Sequence, residues 1–339
     1  MNCSDPMNSR IYKLLWFGVS TLIIGGMIYL ADVSKFLEAI QRAELLYLAL
    51  ALLLGLSVFP IWAYVWYSFF DTMNLQIPYV RSLKVFMAGS FMNAVTPLGQ
   101  FGGEPVMAYL ISRNTESSYE KAFSTVLSAD IVNAVPIFTF VIGGAFYLLA
   151  FGSMNQVVVQ TLYIALLTTV VGGAAVYLLW FEAQKIETLV VGVMRAVSGA
   201  LGRGEKYVES AEERLEEVQR SFRTVGENPR HLMKVAAVSH LGHLSQILCL
   251  FFVLLSFGHS PDFTPLYFII ALSGLANFSP TPGGSGTFEA AMASLISVFL
   301  PVSFATGLSV AIVFRLTTYW PGILLGYGSL NLLEGGDNK

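Results

Sequence analysis

The stretch SPTPGGSGTFE, residues 279–289, sits without Lys, Arg or His inside an apolar run from about Pro265 to Leu300. Two prolines and three glycines cannot continue a helix, yet apolar sequence flanks them on both sides. A helix therefore has to break at membrane depth. Hydrocarbon offers no partner for freed N–H and C=O groups, so such a break survives only against other protein or a water-filled cavity. The stretch is a binding-site candidate for that reason. A second one, NAVTPLGQFGGE at 93–104, also interrupts an apolar run and lies beside residues 277–289 as a weak repeat. In each, an Asn leads to Pro, then glycines, then Glu (Asn93, Pro97, Gly99, Gly102, Gly103, Glu104; Asn277, Pro282, Gly283, Gly284, Gly286, Glu289). Gly/Pro-interrupted segments in corresponding positions of two halves point to a transport site.

Composition agrees with an integral membrane chain. Of 339 residues, 55% are hydrophobic and 12% charged, about half the charged share of a soluble domain. The formal net charge of -3 says little, because placement of charge decides topology. Cys3 and Cys249 are the only cysteines, so neither a disulfide framework nor a cysteine metal site is expected. Arg10 and Lys13 precede the apolar stretch 14–30, which reads as a retained signal-anchor helix.

Spanning segments of about 20 residues are expected over 12–30, 45–70, 121–150, 157–181, 231–257 and 303–331, with broken segments at 83–112 and 264–300. Each broken segment has two arms too short to cross singly, so both read as re-entrant hairpins. On that reading the inside loops carry Arg10, Lys13, Arg81, Lys84, Arg113, Lys121 and the interval from Lys185 to Lys234. The outside loops carry only Lys35 and Arg42. Both termini are then cytoplasmic by the positive-inside rule. The expected fold is an all-α polytopic membrane protein, six spanning helices plus two re-entrant broken-helix hairpins in an inverted repeat. Residues 1–339 form one transmembrane domain, with a first unit at 45–150 and a second at 231–331. Between them, 182–230 reads as a cytoplasmic linker. Its apolar positions Ile186, Leu189, Val190, Val193, Met194, Val197 and Leu201 recur at helical spacing, and Val208, Ala211, Leu215, Val218 and Phe222 form a narrow stripe on a charged arm.

Arg315 falls near the middle of the last span, where a cation costs about 2.5–3.5 kcal/mol on insertion scales and needs a cavity or a partner. Glu289 is the expected partner. The pair either pins the hairpin to the last helix or presents a guanidinium fork to a phosphate. Glu104 and Glu289, each just after glycines, fit the first turn of a returning arm, and Thr287 opens the second one. A helix start at mid-membrane also directs free N–H groups at an anionic headgroup. A carboxylate there opposes phosphate unless it is protonated, paired with Arg315, or meets a cationic or hydroxylated headgroup. Asp130, with Asn133 one turn on, is either a functional acid or one reaching headgroups. His240 and His243 fit polar packing between helices better than metal ligation. The pairs Gly25-Gly26, Gly143-Gly144 and Gly172-Gly173 fit close helix packing. No Walker loop, HExxH, nucleophile elbow or dinucleotide fingerprint occurs. No catalytic residue, metal or cofactor is assigned.

With these residues in hand, the chain resembles the lysylphosphatidylglycerol synthase transmembrane (flippase-like) family over nearly its whole length. The likeness rests on Pro97, Gly99, Gly102-Gly103-Glu104 and AYLIS at 108–112, and on Pro282-Gly283-Gly284, Gly286, Glu289 and Arg315. It implies movement of an anionic, aminoacylated or isoprenoid-linked lipid between leaflets of the cell membrane. Met107 stands where relatives often carry an Arg three residues after the first Glu; Arg113, one to two turns on, is a candidate substitute. No synthase domain follows the last span, so no aminoacyl transfer is expected of this chain. The substrate-binding set is Asn93, Gly102, Gly103, Glu104, Asp130, Gly283, Gly284, Gly286, Thr287, Glu289 and Arg315. A membrane lipid is the expected partner and nucleic acid is not; a homo-oligomer is compatible with the sequence. The rival readings are a membrane enzyme using Glu104, Glu289, Asp130 and the two histidines as acid–base groups, and a scaffold that recruits a partner through the linker.

Overall fold

The computed structural model describes residues 43–96, 100–151, 156–181, 228–279 and 281–335, together with Arg220, Thr224 and Gly226. The expected span 12–30, most of the linker 182–230, Pro97, Gly99 and Gly25-Gly26 lie outside them. All regular structure among the described residues is helical. In chain order the α-helices are α1 Leu45–Thr72, α2 Tyr79–Val95, α3 Gln100–Asn114, α4 Tyr119–Phe151, α5 Gln156–Phe181, α6 Pro229–Ser256, α7 Phe263–Gly274, α8 Thr287–Phe299 and α9 Phe304–Gly335. Two short 3₁₀ turns, Leu275–Phe278 and Pro282–Gly284, join α7 to α8.

Among the described residues, four helices are long and apolar enough to cross a membrane: Leu45–Thr72, Tyr119–Tyr147, Pro229–Ser256 and Phe304–Leu333. At 1.5 Å per residue each exceeds the roughly 30 Å hydrocarbon core. They match four of the six expected spans. α5 covers the expected span at 157–181. Leu53, Ile142, Phe146, Leu149, Leu167, Val170 and Leu324 are exposed on the outer faces of the bundle, a belt suited to lipid and not to water. The protein is a multi-pass membrane protein.

α2 with α3, and α7 with α8, are the two broken segments, and the helices within each pair pack against each other. At 17, 15, 12 and 13 residues none reaches across the hydrocarbon alone. The start of α2 and the end of α3 share a core with Met73, Leu75, Ile77, Tyr119 and Leu232. Those of α7 and α8 share one with Leu254, Leu300 and Val302. In the first pair α2 ends at Val95 and α3 begins at Gln100, ahead of Gly102 and Gly103. Gly102, Gly103, Glu104 and Pro105 are inside α3, which begins at Gln100, so Glu104 is not in a first turn.

The two halves pair in equivalent ways. α3 packs on α4 as α8 packs on α9; α2 lies on α9 as α7 lies on α4; α1 touches both α4 and α9, and so does α6. The two leading helices run antiparallel along their length. The Glu44 N–H donates to the Ser256 carbonyl at 3.0 Å, the Ser57 hydroxyl to the Ser245 hydroxyl at 3.1 Å, and Thr72 Oγ1 meets His231 Nε2 at 3.1 Å. Between apolar helices in lipid, close backbone approach and hydroxyl bonds replace the hydrophobic drive. Gly55 permits such an approach: a Cβ there would meet the Thr317 carbonyl of α9. Gly144 does the same against Phe268, whereas Gly143 and Gly173 face open space.

Candidate functional site

The turn 281–286 is shaped by glycine. Gly283, Gly284 and Gly286 have φ of 54°, 69° and 84°, the left-handed region that L side chains avoid. Gly283 is also fixed by space, because a Cβ would collide with the Tyr319 side chain. The turn is tied shut by Thr287, whose Oγ1 donates to the Gly284 carbonyl at 2.9 Å and meets Ser279 Oγ at 2.7 Å. Thr287 therefore holds the loop. Pro282, Gly283 and Gly284 are buried, as broken backbone in a membrane protein has to be.

Arg315 comes from α9 to meet this turn. Its Nε donates to Glu289 Oε1 at 3.1 Å and its Nη2 to the Gly283 carbonyl at 2.9 Å. The guanidinium carbon lies 3.6 Å from the Tyr319 ring centroid and 4.8 Å from that of Phe288, so it is held between two aromatic faces. Arg315 is 4% exposed and Glu289 2%. The other carboxylate oxygen, Glu289 Oε2, accepts from the Gly286 N–H at 2.7 Å. That donor at the start of α8 is filled by the chain's own carboxylate, and not left free for a ligand.

The broken segments meet at their tips. α2 packs on the Pro282–Gly284 turn, and the Tyr319 hydroxyl donates to the Ala94 carbonyl at 3.2 Å, joining α9 to the end of α2. A cavity of about 220 Å³ opens at this junction. Arg315, Tyr319 and Phe288 line it on one side, Trp62 and Phe59 on another, and the carboxamides of Asn93, Gln246 and Asn277 supply polar edges. Its chemistry is one ion-paired guanidinium among neutral donors and acceptors, with apolar walls.

The expected site residues divide into two groups. Asn93, Gly283 and Arg315 line the cavity, and Glu289, Gly284, Gly286 and Thr287 build the wall behind it. Glu104, Gly102, Gly103 and Asp130 lie off the cavity in the first half. Asn93 links the two groups: it lines the cavity, and its Oδ1 accepts from the Gly103 N–H at 2.6 Å. His240 and His243 pack as polar links, His240 Nε2 with Thr139 Oγ1 at 2.8 Å and His243 Nδ1 with the Ser239 carbonyl at 3.2 Å. Tyr319, Phe288, Gln246 and Trp62 were not foreseen. Tyr319 had a readable signal, one helical turn after Arg315; Trp62 and Gln246 had none.

A family model described as the lysylphosphatidylglycerol synthase TM region matches residues 16–326. The chain is 24% identical over 321 residues to a UPF0104 membrane protein of Pyrococcus horikoshii, covering 93% of this chain and 95% of that one. It is 26% identical over 303 residues to a UPF0104 membrane protein of Archaeoglobus fulgidus, covering 87% and 88%. A third of that name, from Methanocaldococcus jannaschii, is 23% identical over 326 residues, covering 93% of each. With both broken segments and Arg315 inside the match, the chain belongs to the lysylphosphatidylglycerol synthase TM region family of multi-pass membrane proteins.

Proposed function

We propose that this protein moves a phospholipid or lipid-linked headgroup between the leaflets of the cell membrane, with the headgroup held in the Arg315 cavity and the tails left in the bilayer. One observation carries the reading: the cavity lies where the end of the first broken segment's leading helix meets the Pro282–Gly284 turn of the second. That is the arrangement from which alternating access is built. At about 220 Å³ the cavity is smaller than the roughly 300–1,000 Å³ of drug-sized ligand sites, which suits a headgroup and not its chains. Arg315 lines the cavity and a guanidinium suits a phosphate oxygen, while the three carboxamides suit hydroxyls or phosphate oxygens around it. Because Glu289 already offsets the charge of Arg315, a phosphate competes with that carboxylate, and headgroup exchange replaces simple attraction.

In this reading α2–α3 and α7–α8 are re-entrant hairpins in an inverted repeat, the first entering from the cytoplasm and the second from outside, with both termini cytoplasmic. The antiparallel course of α1 and α6 supports the inversion. The test is leaflet-resolved movement of headgroup-labelled phosphatidylglycerol and of an isoprenoid phosphate in reconstituted vesicles. Faster exchange of either lipid, recovered chemically unchanged, is the expected result. A recovered lipid with a new covalent group would mark an enzyme, and no movement of either would end the transport reading.

A further inference from the structure

The repeat extends from helix order to the charges. The 26 residues that part Glu289 from Arg315 also part Glu104 from Asp130. Both acids sit on the second arm of a broken segment, and each arm packs on the long helix that follows it. Asp130 thus occupies in the first half the place that Arg315 holds in the second. A carboxylate meets a guanidinium in one half, while in the other two acids lie within electrostatic reach of each other.

The surroundings of that pair lack compensation. Asp130 lies within electrostatic reach of Glu104. Glu104 is 9% exposed. Its Oε2, and Oδ2 of Asp130, are shut off from solvent and have no hydrogen-bond partner among the described residues. The Trp66 indole is directed at the Asp130 carboxyl, yet its Nε1, on a residue 1% exposed, makes no completed hydrogen bond. Two ionised carboxylates so placed repel one another and have lost water without gaining a cation.

Other titratable groups are engaged elsewhere. From α6, His240 bonds to Thr139 and the Ala236 carbonyl and His243 to the Ser239 carbonyl. α2 brings Asn93 to the pair and carries Tyr79, Arg81 and Lys84 near its opposite end; α4 carries Glu120 and Lys121 in its first turn. α1 presents Trp66, with Asp71 near its end. α7 contributes Tyr267, stacked on Phe140, and α5 carries Tyr163 and Tyr177. No third His, Cys, Asp or Glu completes a metal-binding group among the described residues, and Asn93 Oδ1 is already taken by the Gly103 N–H. A metal ion would be short of oxygen ligands; a proton needs only the two carboxyls.

We propose that Glu104 and Asp130 form a proton-loading site, in which one proton shared between the carboxyls supplies to the first half the compensation that Arg315 supplies to the second. The proton arrives from water, forms one O–H bond on a carboxyl oxygen and is hydrogen-bonded by the other carboxylate; release restores both anions. The site's use rests on the transport reading. Asn93 accepts from the N–H of Gly103, next to Glu104, and lines the cavity, so occupancy by a proton is felt where the headgroup binds.

Infrared spectroscopy of the purified protein in lipid nanodiscs tests the site without any transport. At neutral pH in choline chloride the native protein is expected to show the C=O band of a protonated carboxyl, lost on alkaline titration and missing from the Glu104→Gln/Asp130→Asn double variant. Trp66→Phe is expected to keep the band and shift its frequency, and it serves if the double variant does not fold. An undiminished band in the folded double variant, or no shift in Trp66→Phe, overturns the proposal. So does loss of the native band when sodium replaces choline at constant pH, which would assign the site to a metal cation. In vesicles, the native rate of lipid exchange is expected to change with the sign of an imposed pH gradient, and a rate indifferent to it overturns the coupling. Absence of lipid movement under all conditions counts against the transport reading alone, since the infrared band is read independently.

Discussion

The Tyr319 hydroxyl donates to the Ala94 carbonyl at 3.2 Å while the same ring lies against the Arg315 guanidinium. One side chain thus fastens the last helix to the tip of the first broken segment and holds the cation of the second. Tyr319→Phe removes the fastening and keeps the ring, and should cost about 1 kcal/mol of stability. Tyr319→Ala loses packing and the cation–π contact as well, and should cost about 3–5 kcal/mol by analogy with other buried aromatic truncations. Thermal unfolding in detergent compares them. Equal losses from both variants would mean that the ring contributes nothing beyond its hydroxyl.

Arg315→Ala leaves Glu289 buried without its cation and should destabilise the protein by about 3–5 kcal/mol. Glu289→Gln combined with Arg315→Ala should be better folded than Arg315→Ala alone, because the unpaired charge is gone, and should still not move lipid. Arg315→Lys keeps a charge for Glu289 but cannot reproduce the planar fork or the stacking between Phe288 and Tyr319. It should recover stability more than transport. Normal lipid exchange by well-expressed Arg315→Ala would reduce the residue to a structural pin.

Gly283 is constrained twice, by its φ of 54° and by the nearness of the Tyr319 side chain. Gly283→Ala should cost about 1–3 kcal/mol from backbone strain alone, with the collision added. Coupling it to Tyr319→Phe should recover part of the collision cost and none of the backbone cost. A double-variant cycle in thermal stability reads the difference; strict additivity would show that the two residues do not press on each other.

Single cysteines on a background lacking Cys3 and Cys249 check how the broken segments lie in the membrane. Asn74→Cys and Ser117→Cys should both react with an impermeant reagent applied from the cytoplasmic side. Ser260→Cys and Val302→Cys should both react from outside. Flanks of one segment that react from opposite faces would make it a crossing and remove the inverted pair.

Much of the architecture is legible along the chain because lipid imposes local rules. Four spans could be read from apolar length, and the broken segments from Pro and Gly inside apolar runs, since neither depends on which helix lies beside which. Arg315 and Glu289 were likewise readable as partners, because a cation at that depth demands an anion and few were available. The equal spacing of Glu104–Asp130 and Glu289–Arg315 was also present in the sequence. It acquired chemical meaning only when α3 on α4 and α8 on α9 proved to be equivalent packings. Other features belonged to the tertiary structure alone. The sequence pattern placed Gly102 and Gly103 at a break, but packing drew them into α3: Gly103 lies against Asn93, where a Cβ would not fit. Trp62, Gln246 and Phe59 are polar-tipped or apolar residues within unbroken helices, and no local pattern tells which face of a lipid-buried helix meets a cavity. That choice is made by the angle at which helices cross, which depends on contacts far apart in the chain.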